Sequence, residues 1–314
     1  MRSSSISSAR VLAAAAAVFA LTAVADDRFK DNFRYSYNVP ASGAKLDLSS
    51  FNGGIELIGV DGNTVEVTGT KSAKDASTLA ELKIEGVQEG PLLRVRAVRP
   101  GNGERKGCYC GVSFVVRAPK HMELTSVTTS NGSMRVENFE SVANLRTSNG
   151  AMKLHQLKGR VEARTSNGGV TLDNIDGAVS VVTSNGGVTL ENVRGALRAE
   201  TSNGSIRGRI ADTTSGSPVH LSTSNGTVDV RLDATHNNDI TVTTSNGSIN
   251  LRMPDGGNAK ILARTSSHES VTTDFPMMIR GTLSKGLLEG SIGSGNGPSI
   301  RLETSNGPIR LLRL

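Results

Sequence analysis

The tetrapeptide Thr-Ser-Asn-Gly occurs eight times, beginning at Thr129, Thr147, Thr165, Thr183, Thr201, Thr223, Thr244 and Thr304. The first four intervals are 18 residues each, the next two are 22 and 21, and the last is 60. Self-similarity at this period marks units that cannot bury an apolar face alone and must stack on one another. The repeat therefore predicts an all-β chain wound as a parallel β-helix, or β-solenoid, of 18–22-residue coils.

Aligning GGVTLDNIDGAVSVVTSN with GGVTLENVRGALRAETSN divides a coil into a strand, a corner, a second strand and the Ser-Asn-Gly corner. Period-2 alternation turns Val170, Leu172, Val179, Val181 and Thr183 inward, with Thr171, Ser180 and Val182 outward. Met134, Val136, Leu145, Val161, Ala163, Leu197 and Ala199 hold equivalent inward positions. Phe139, Leu157, Ile175 and Val193 fill the end of the coil. Stacking sets each corner above its predecessor, so Asn131, Asn149, Asn167, Asn185, Asn203, Asn225, Asn246 and Asn306 are expected to form an amide ladder. Gly is expected to supply a positive φ at that corner. Asn-Gly also marks two-residue hairpin turns, but hairpins need not keep a fixed period. An 18-residue coil equals three hexapeptides, yet the single recurring aliphatic of a three-sided helix is missing. Successive turns are expected to pair in parallel, each advancing the stack by about 4.8 Å.

Hydrophobic residues are 36% of the chain and aromatics 3%, with no Trp. That is thin for a thick globular core and suits narrow layers of Val, Leu, Ile and Thr. Residues 1–25 read as a secretory signal peptide: Arg2 and Arg10, then an apolar run from Val11 to Val24, then Ala23-Val24-Ala25 with cleavage after Ala25. The run is short for a membrane span, and no second one follows, so the mature chain is read as exported without a transmembrane segment. Its location is periplasmic, cell-surface or extracellular. Residues 26–44 form a lead-in whose Phe29, Phe33, Tyr35 and Tyr37 cap the open end. One solenoid domain spans 45–314, irregular over 45–120, regular over 121–251, and closed by C-terminal coils and a cap over 252–314. Within it SFNGG, at residues 50–54, is a degenerate copy of the corner. Residues 72–82 read as a short helix, with Ser72 as N-cap and Ala76, Leu79 and Ala80 on one face.

The tetrapeptide repeats, the strand ending in Arg117-Ala118-Pro119, and the string TTDFPMMIRGTLSKGLLEGSIGSGNGPSIRLETSNGPIRLLRL together resemble a bacterial adhesin-like family of exported repeat proteins, largely a domain of unknown function. The matching positions are Thr273, Asp274, Phe275, Pro276, Gly281, Leu288, Gly290, Ile292, Gly293 and Thr304 to Gly307. The resemblance covers most of the chain after about residue 45. It implies a parallel β-helix-like solenoid and carries over no catalytic residues. Cys108-Tyr109-Cys110 is a departure from it.

Two cysteines in an exported chain suggest oxidation. A Cys108–Cys110 disulfide is the first reading, with free thiols or an intermolecular bridge next. Metal binding comes last, since His121 would supply only a third ligand. Asp173 and Glu191 share a position one coil apart, with Glu137 and His155 in the same register. Stacking puts such carboxylates about 5 Å apart, near the spacing of retaining glycosidases. The outward column Arg135, Lys153, Thr171, Thr189, Arg207, Asp229 is too mixed for an ice-binding face. Nucleophile and phosphate-loop motifs are missing, and the five histidines (121, 155, 220, 236, 268) are scattered. No catalytic, cofactor-binding or metal residue is assigned.

The formal charge is +6, or +4 without Arg2 and Arg10. No basic cluster is interleaved with aromatics, so nucleic acid is not an expected partner. Arg135, Lys153 and Arg207 on the first strand, and Arg146, Arg164 and Arg198 near the second, are expected to make one long basic face. The resulting reading is an exported, non-enzymatic adhesin, envelope scaffold or binding module whose partner is an acidic glycan or an envelope protein. The competing readings are a polysaccharide-acting β-helix enzyme and an envelope-stress signalling partner.

Overall fold

The structure, a computed structural model, describes residues 29–103, 108–211, 216–234, 238–266, 268–279 and 284–314. The leader assigned to residues 1–25 lies outside them. No helix among the described residues is long and apolar enough to cross a membrane.

Each regular coil lays one strand in each of two sheets, one of 13 strands and one of 14 among the described residues. Pairing in the array is parallel and the partner is one coil away. Met152 pairs with Val170, which pairs with Val188, which pairs with Ile206. On the other sheet Val161, Val179, Leu197 and Val219 follow one another. The chain is thus an all-β parallel solenoid with two faces rather than three.

Alternation explains the core. Strands such as Val179–Thr183 and Val219–Thr223 bury every second residue. These buried residues from both sheets meet in one apolar cluster running the length of the stack. Burying a Val, Leu or Ile side chain contributes about 1.5–3 kcal/mol, so each layer is weak alone and the stack is stable only collectively.

Antiparallel pairing is confined to the ends. Phe29–Asn38 is a strand paired antiparallel with Thr64–Ala73 over ten positions, at the edge of the 13-stranded sheet. The lead-in is therefore an added edge strand, and its aromatics lie on that strand's inner side. Phe33 meets Phe114 edge-on at 5.6 Å between ring centres. The Tyr37 hydroxyl sits over Gly86 of the opposite sheet, where a Cβ would come within 1.9 Å of it. Burial raises the Tyr37 pKa, with Tyr35 adding to it. Phe29 is exposed.

The helix is shorter than expected, Ala76–Glu81, and Asp75 caps it, accepting from the Thr78 N–H at 2.7 Å. Ser72 belongs to the strand Thr64–Ala73 because the ten-position ladder holds its backbone extended. Only Leu79 of the expected face is buried; Ala76 and Ala80 are exposed.

Winding at both ends departs from chain order. The last strands, Ser299–Asn306 and Ile309–Arg313, pair with Ile240–Asn246 and Ile249–Met253 on one side. On the other side they pair with Ala259–Arg264 and Val271–Thr273. The final turn thus lies inside the stack, and an earlier segment lies outside it. The first turn does the same: Lys45–Ser49 pairs with both Leu92–Val98 and Glu123–Thr129.

Candidate functional site: the repeated corner and its borders

Three residues of the repeated tetrapeptide are accounted for by stacking. The Thr is buried and its hydroxyl donates to the carbonyl of the corner glycine below: Thr147 to Gly132 at 3.1 Å, Thr183 to Gly168 at 2.9 Å, Thr304 to Gly247 at 3.0 Å. The column continues below into the degenerate corner, Thr129 to Gly53 at 3.0 Å, and above it, Thr265 to Gly307 at 2.8 Å.

The asparagines form seven successive side-chain bonds. Nδ2 of Asn149 donates to Oδ1 of Asn131, Asn167 to Asn149, Asn185 to Asn167, and Asn203 to Asn185, all at 2.7–2.8 Å. Asn225, Asn246 and Asn306 extend the run at 2.8–2.9 Å. Asn306 stacks on Asn246 although 60 residues separate them.

Glycine is required for a reason other than φ. Gly132, Gly150, Gly168, Gly186, Gly204, Gly226 and Gly247 lie outside the positive-φ set, and of the eight copies only Gly307, at 156°, is in it. A Cβ on Gly150, Gly168 or Gly186 would lie 2.0–2.1 Å from the carbonyl oxygen of the corner glycine below. Close vertical approach, not a left-handed backbone, excludes a side chain here.

The opposite corner holds a feature that sequence reasoning missed. Asn138, Gln156, Asn174 and Asn192, 18 residues apart, have φ of 64°, 51°, 54° and 58°. In Val170–Asp176 burial alternates through Leu172 and then skips to Ile175, the left-handed Asn174 taking up the extra residue. Asn tolerates this conformation better than most side chains. The signal was present in VENF, LDNI and LENV, where Asn precedes an apolar residue at the same period.

The carboxylate column is in register: Glu137 beside His155, His155 beside Asp173, Asp173 beside Glu191, and Glu191 beside Arg209. His155 Nδ1 lies 2.7 Å from Asp173 Oδ2, and Glu137 accepts from Arg135 at 2.9 Å. The column runs down an outward sheet face and is interleaved with its own counter-charges.

The six basic residues do not share a face. Arg135, Lys153 and Arg207 point outward from the 13-stranded sheet, and Arg146, Arg164 and Arg198 from the 14-stranded sheet, on the far side of the core. A coil of two strands sends its first and second strands to opposite walls, which alternation alone does not reveal. Position along the strand regroups them. Arg135, Lys153 and Arg207 are the second residues of their strands, just past the Ser-Asn-Gly corner. Arg146 is the penultimate residue of Ala143–Thr147, and Arg164 directly precedes Thr165. Those five border the repeated corner from both sides. Arg198, second in Leu197–Thr201, borders the other corner and pairs with Glu200 at 2.5 Å. Arg146 and Arg164 are direct neighbours in adjacent strands, as are Arg135 and Lys153. Like charges in that relation repel.

Cys108 and Cys110 are joined as a disulfide, with Cys110 buried and Tyr109 exposed between them. Asn52 Nδ2 donates to the Cys110 carbonyl at 2.8 Å, which ties the bridged segment to the degenerate corner.

No curated protein matches the chain. Solved structures resemble it, among them the three that follow. One, described as a proposed cell adhesion protein from Clostridium sporogenes, is 13% identical, covers 90% of this chain and 100% of its own, and has a TM-score of 0.21. A proposed adhesin from Bacteroides fragilis is 11% identical, with coverage of 90% and 97% and a TM-score of 0.38. A proposed adhesin from Parabacteroides distasonis is 9% identical, with the same coverage and a TM-score of 0.34. The family model described as Toastrack DUF4097 matches residues 60–312, which takes in the whole regular array and the inserted final turn; the chain belongs to that family.

Proposed function

We propose that the protein is an exported, non-enzymatic binding module that holds an acidic polymer of the cell envelope, either an acidic glycan or an acidic stretch of an envelope protein. The observation that supports this most directly is the bordering of one corner by Arg135, Lys153 and Arg207 on one sheet and Arg146 and Arg164 on the other. Arg135 stacks on Lys153 and Arg146 on Arg164; Glu137 and Glu162 of the chain offset part of that repulsion at Arg135 and Arg164, and an outside anion at Lys153 and Arg146 relieves the rest. The rigid array fixes these charges in two rows. Many weak contacts along such rows add to a firm attachment without a pocket.

The test is co-sedimentation with polygalacturonate at low and high salt. Wild type should bind, and binding should fall steeply as salt screens the contacts. Reversal of Arg135, Lys153, Arg146 and Arg164 to Glu should abolish it, and Arg198→Glu should leave it nearly unchanged. Retention of binding by the fourfold reversal would remove the two rows from this role. The His155–Asp173 contact beside Glu191 favours one second reading, cleavage of the polymer. Release of reducing ends that disappears in Asp173→Asn and Glu191→Gln would establish it.

A further inference from the structure

The fourth residue of the corner has no structural explanation. Thr, Asn and Gly are each required by contact with the coil below. Ser130, Ser148, Ser166, Ser184, Ser202, Ser224, Ser245 and Ser305 point away from the core, and all but the half-buried Ser130 are exposed. None of their hydroxyls has a hydrogen-bond partner among the described residues, yet the position stays Ser through all eight copies of the tetrapeptide and changes only in the degenerate corner below them, where Phe51 takes it. Other outward columns have diverged between the same coils. One reads Arg135, Lys153, Thr171, Thr189, Arg207, Asp229; another reads Glu137, His155, Asp173, Glu191, Arg209, Arg231. Duplication alone would have let the serines drift with them.

Beside each serine, the ladder asparagine has spent one N–H on the rung below and one lone pair on the rung above. Its second N–H and second lone pair remain for an outside partner. The edge therefore presents, once per coil, a hydroxyl and half a carboxamide, in a straight line of eight rungs about 34 Å long. The line itself carries no charge. Arg135 and Lys153 border it on one side and Arg146 and Arg164 on the other over its first coils, and further along the same positions hold Thr171, Thr189, Arg207 and Asp229 on the first side and Val182 and Glu200 on the second.

We infer that this edge is the hydrogen-bonding floor of a site for one extended strand of a carboxylated polysaccharide running parallel to the stack axis. The inference rests on the acidic-polymer reading above and specifies its ligand class and its seat. The bordering cations hold the sugar carboxylates, and the Ser hydroxyls and Asn amides pair with ring hydroxyls. A polyanion without hydroxyls satisfies the cations and leaves the floor unused. A compact ligand would not explain a line this long. The serines are thus specificity residues that separate sugar from other polyanions.

The experiment compares polygalacturonate with poly-glutamate of matched length and charge, on wild type and on the triple variant Ser148→Ala, Ser166→Ala, Ser184→Ala, with thermal unfolding alongside. Wild type should prefer the glycan by at least about tenfold, the order that a few net hydrogen bonds confer. The serine variant should unfold at the wild-type temperature and bind the two polymers equally. An intermediate variant, Ser166→Thr, which keeps a hydroxyl, should retain most of the preference. If wild type binds both polymers equally and the serine variant is unchanged, the floor is overturned and the charge-based reading stands. If wild type binds neither polymer, both readings fall. A serine variant that unfolds markedly earlier overturns the inference in favour of a conformational role for Ser at the corner.

Discussion

Thr183, Asn185 and Gly186 show how a single residue is fixed by its copy one coil away. The Thr183 hydroxyl is buried and donates to the Gly168 carbonyl. Thr183→Val keeps the shape and leaves that carbonyl without its donor, which should lower unfolding free energy by about 1–2 kcal/mol in denaturant titration. Gly186→Ala places a methyl 2.0 Å from the Gly168 carbonyl oxygen, backbone that cannot swing aside, and should cost about 3 kcal/mol or more. The order of these two effects follows from one loss being a bond and the other a collision. Deamidation offers a third readout. Asn-Gly deamidates when the glycine nitrogen can attack the carboxamide, and the ladder holds Asn167, Asn185 and Asn203 at both ends of the amide. Peptide mapping after alkaline incubation should find these three intact in the folded protein and rapidly converted in denaturant.

At the scale of strands and turns, the legible part is what repeats. An 18-residue period with alternating apolar residues states the strands, their inward sides and their parallel stacking, because each coil meets the same neighbour at the same offset. Less was legible where the neighbour is remote. Lys45–Ser49 lies against Glu123–Thr129, and no local pattern announces a partner so far along the chain. Ser72 shows the same limit from the other side. Its local sequence reads as a helix cap, but pairing with Lys30 of the edge strand keeps it extended, and the cap falls to Asp75. That edge carries a pH signature. Burial raises the Tyr37 pKa, so its neutral form is favoured in the folded chain. The contribution is complete below the unfolded value near 10 and is lost as pH rises through the higher folded value. Wild type should therefore lose stability above about pH 10 more steeply than Tyr37→Phe, a difference that urea titrations at pH 9 and pH 11 would show.

For the molecule as a whole, the two-walled cross-section decides what the charges can do. The basic residues were legible as outward-facing, but not as divided between opposite walls, because one strand's alternation says nothing about which wall it joins. Only the arrangement of two sheets around one core shows that Arg135 and Arg146 border the same corner from different sides. A stack of equivalent layers should also tolerate loss of a whole layer. Deleting residues 169–186 removes one full period and should leave a folded protein, shorter by one rung, as judged by circular dichroism and cooperative melting. Deleting residues 299–314 removes fewer residues and should do more harm. Ala259–Arg264 loses its parallel partner, and amide exchange should become fast through 259–264 and 287–292.

The tucked-in final turn bears on the order in which the molecule can be finished. A chain delivered amino end first can lay its middle rungs as they arrive, each on the one before. At the far end it must keep a berth open between residues 240–253 and 259–273 until residues 299–313 have come through. A product that stops before residue 299 therefore ends in an unfilled slot rather than a shorter rod.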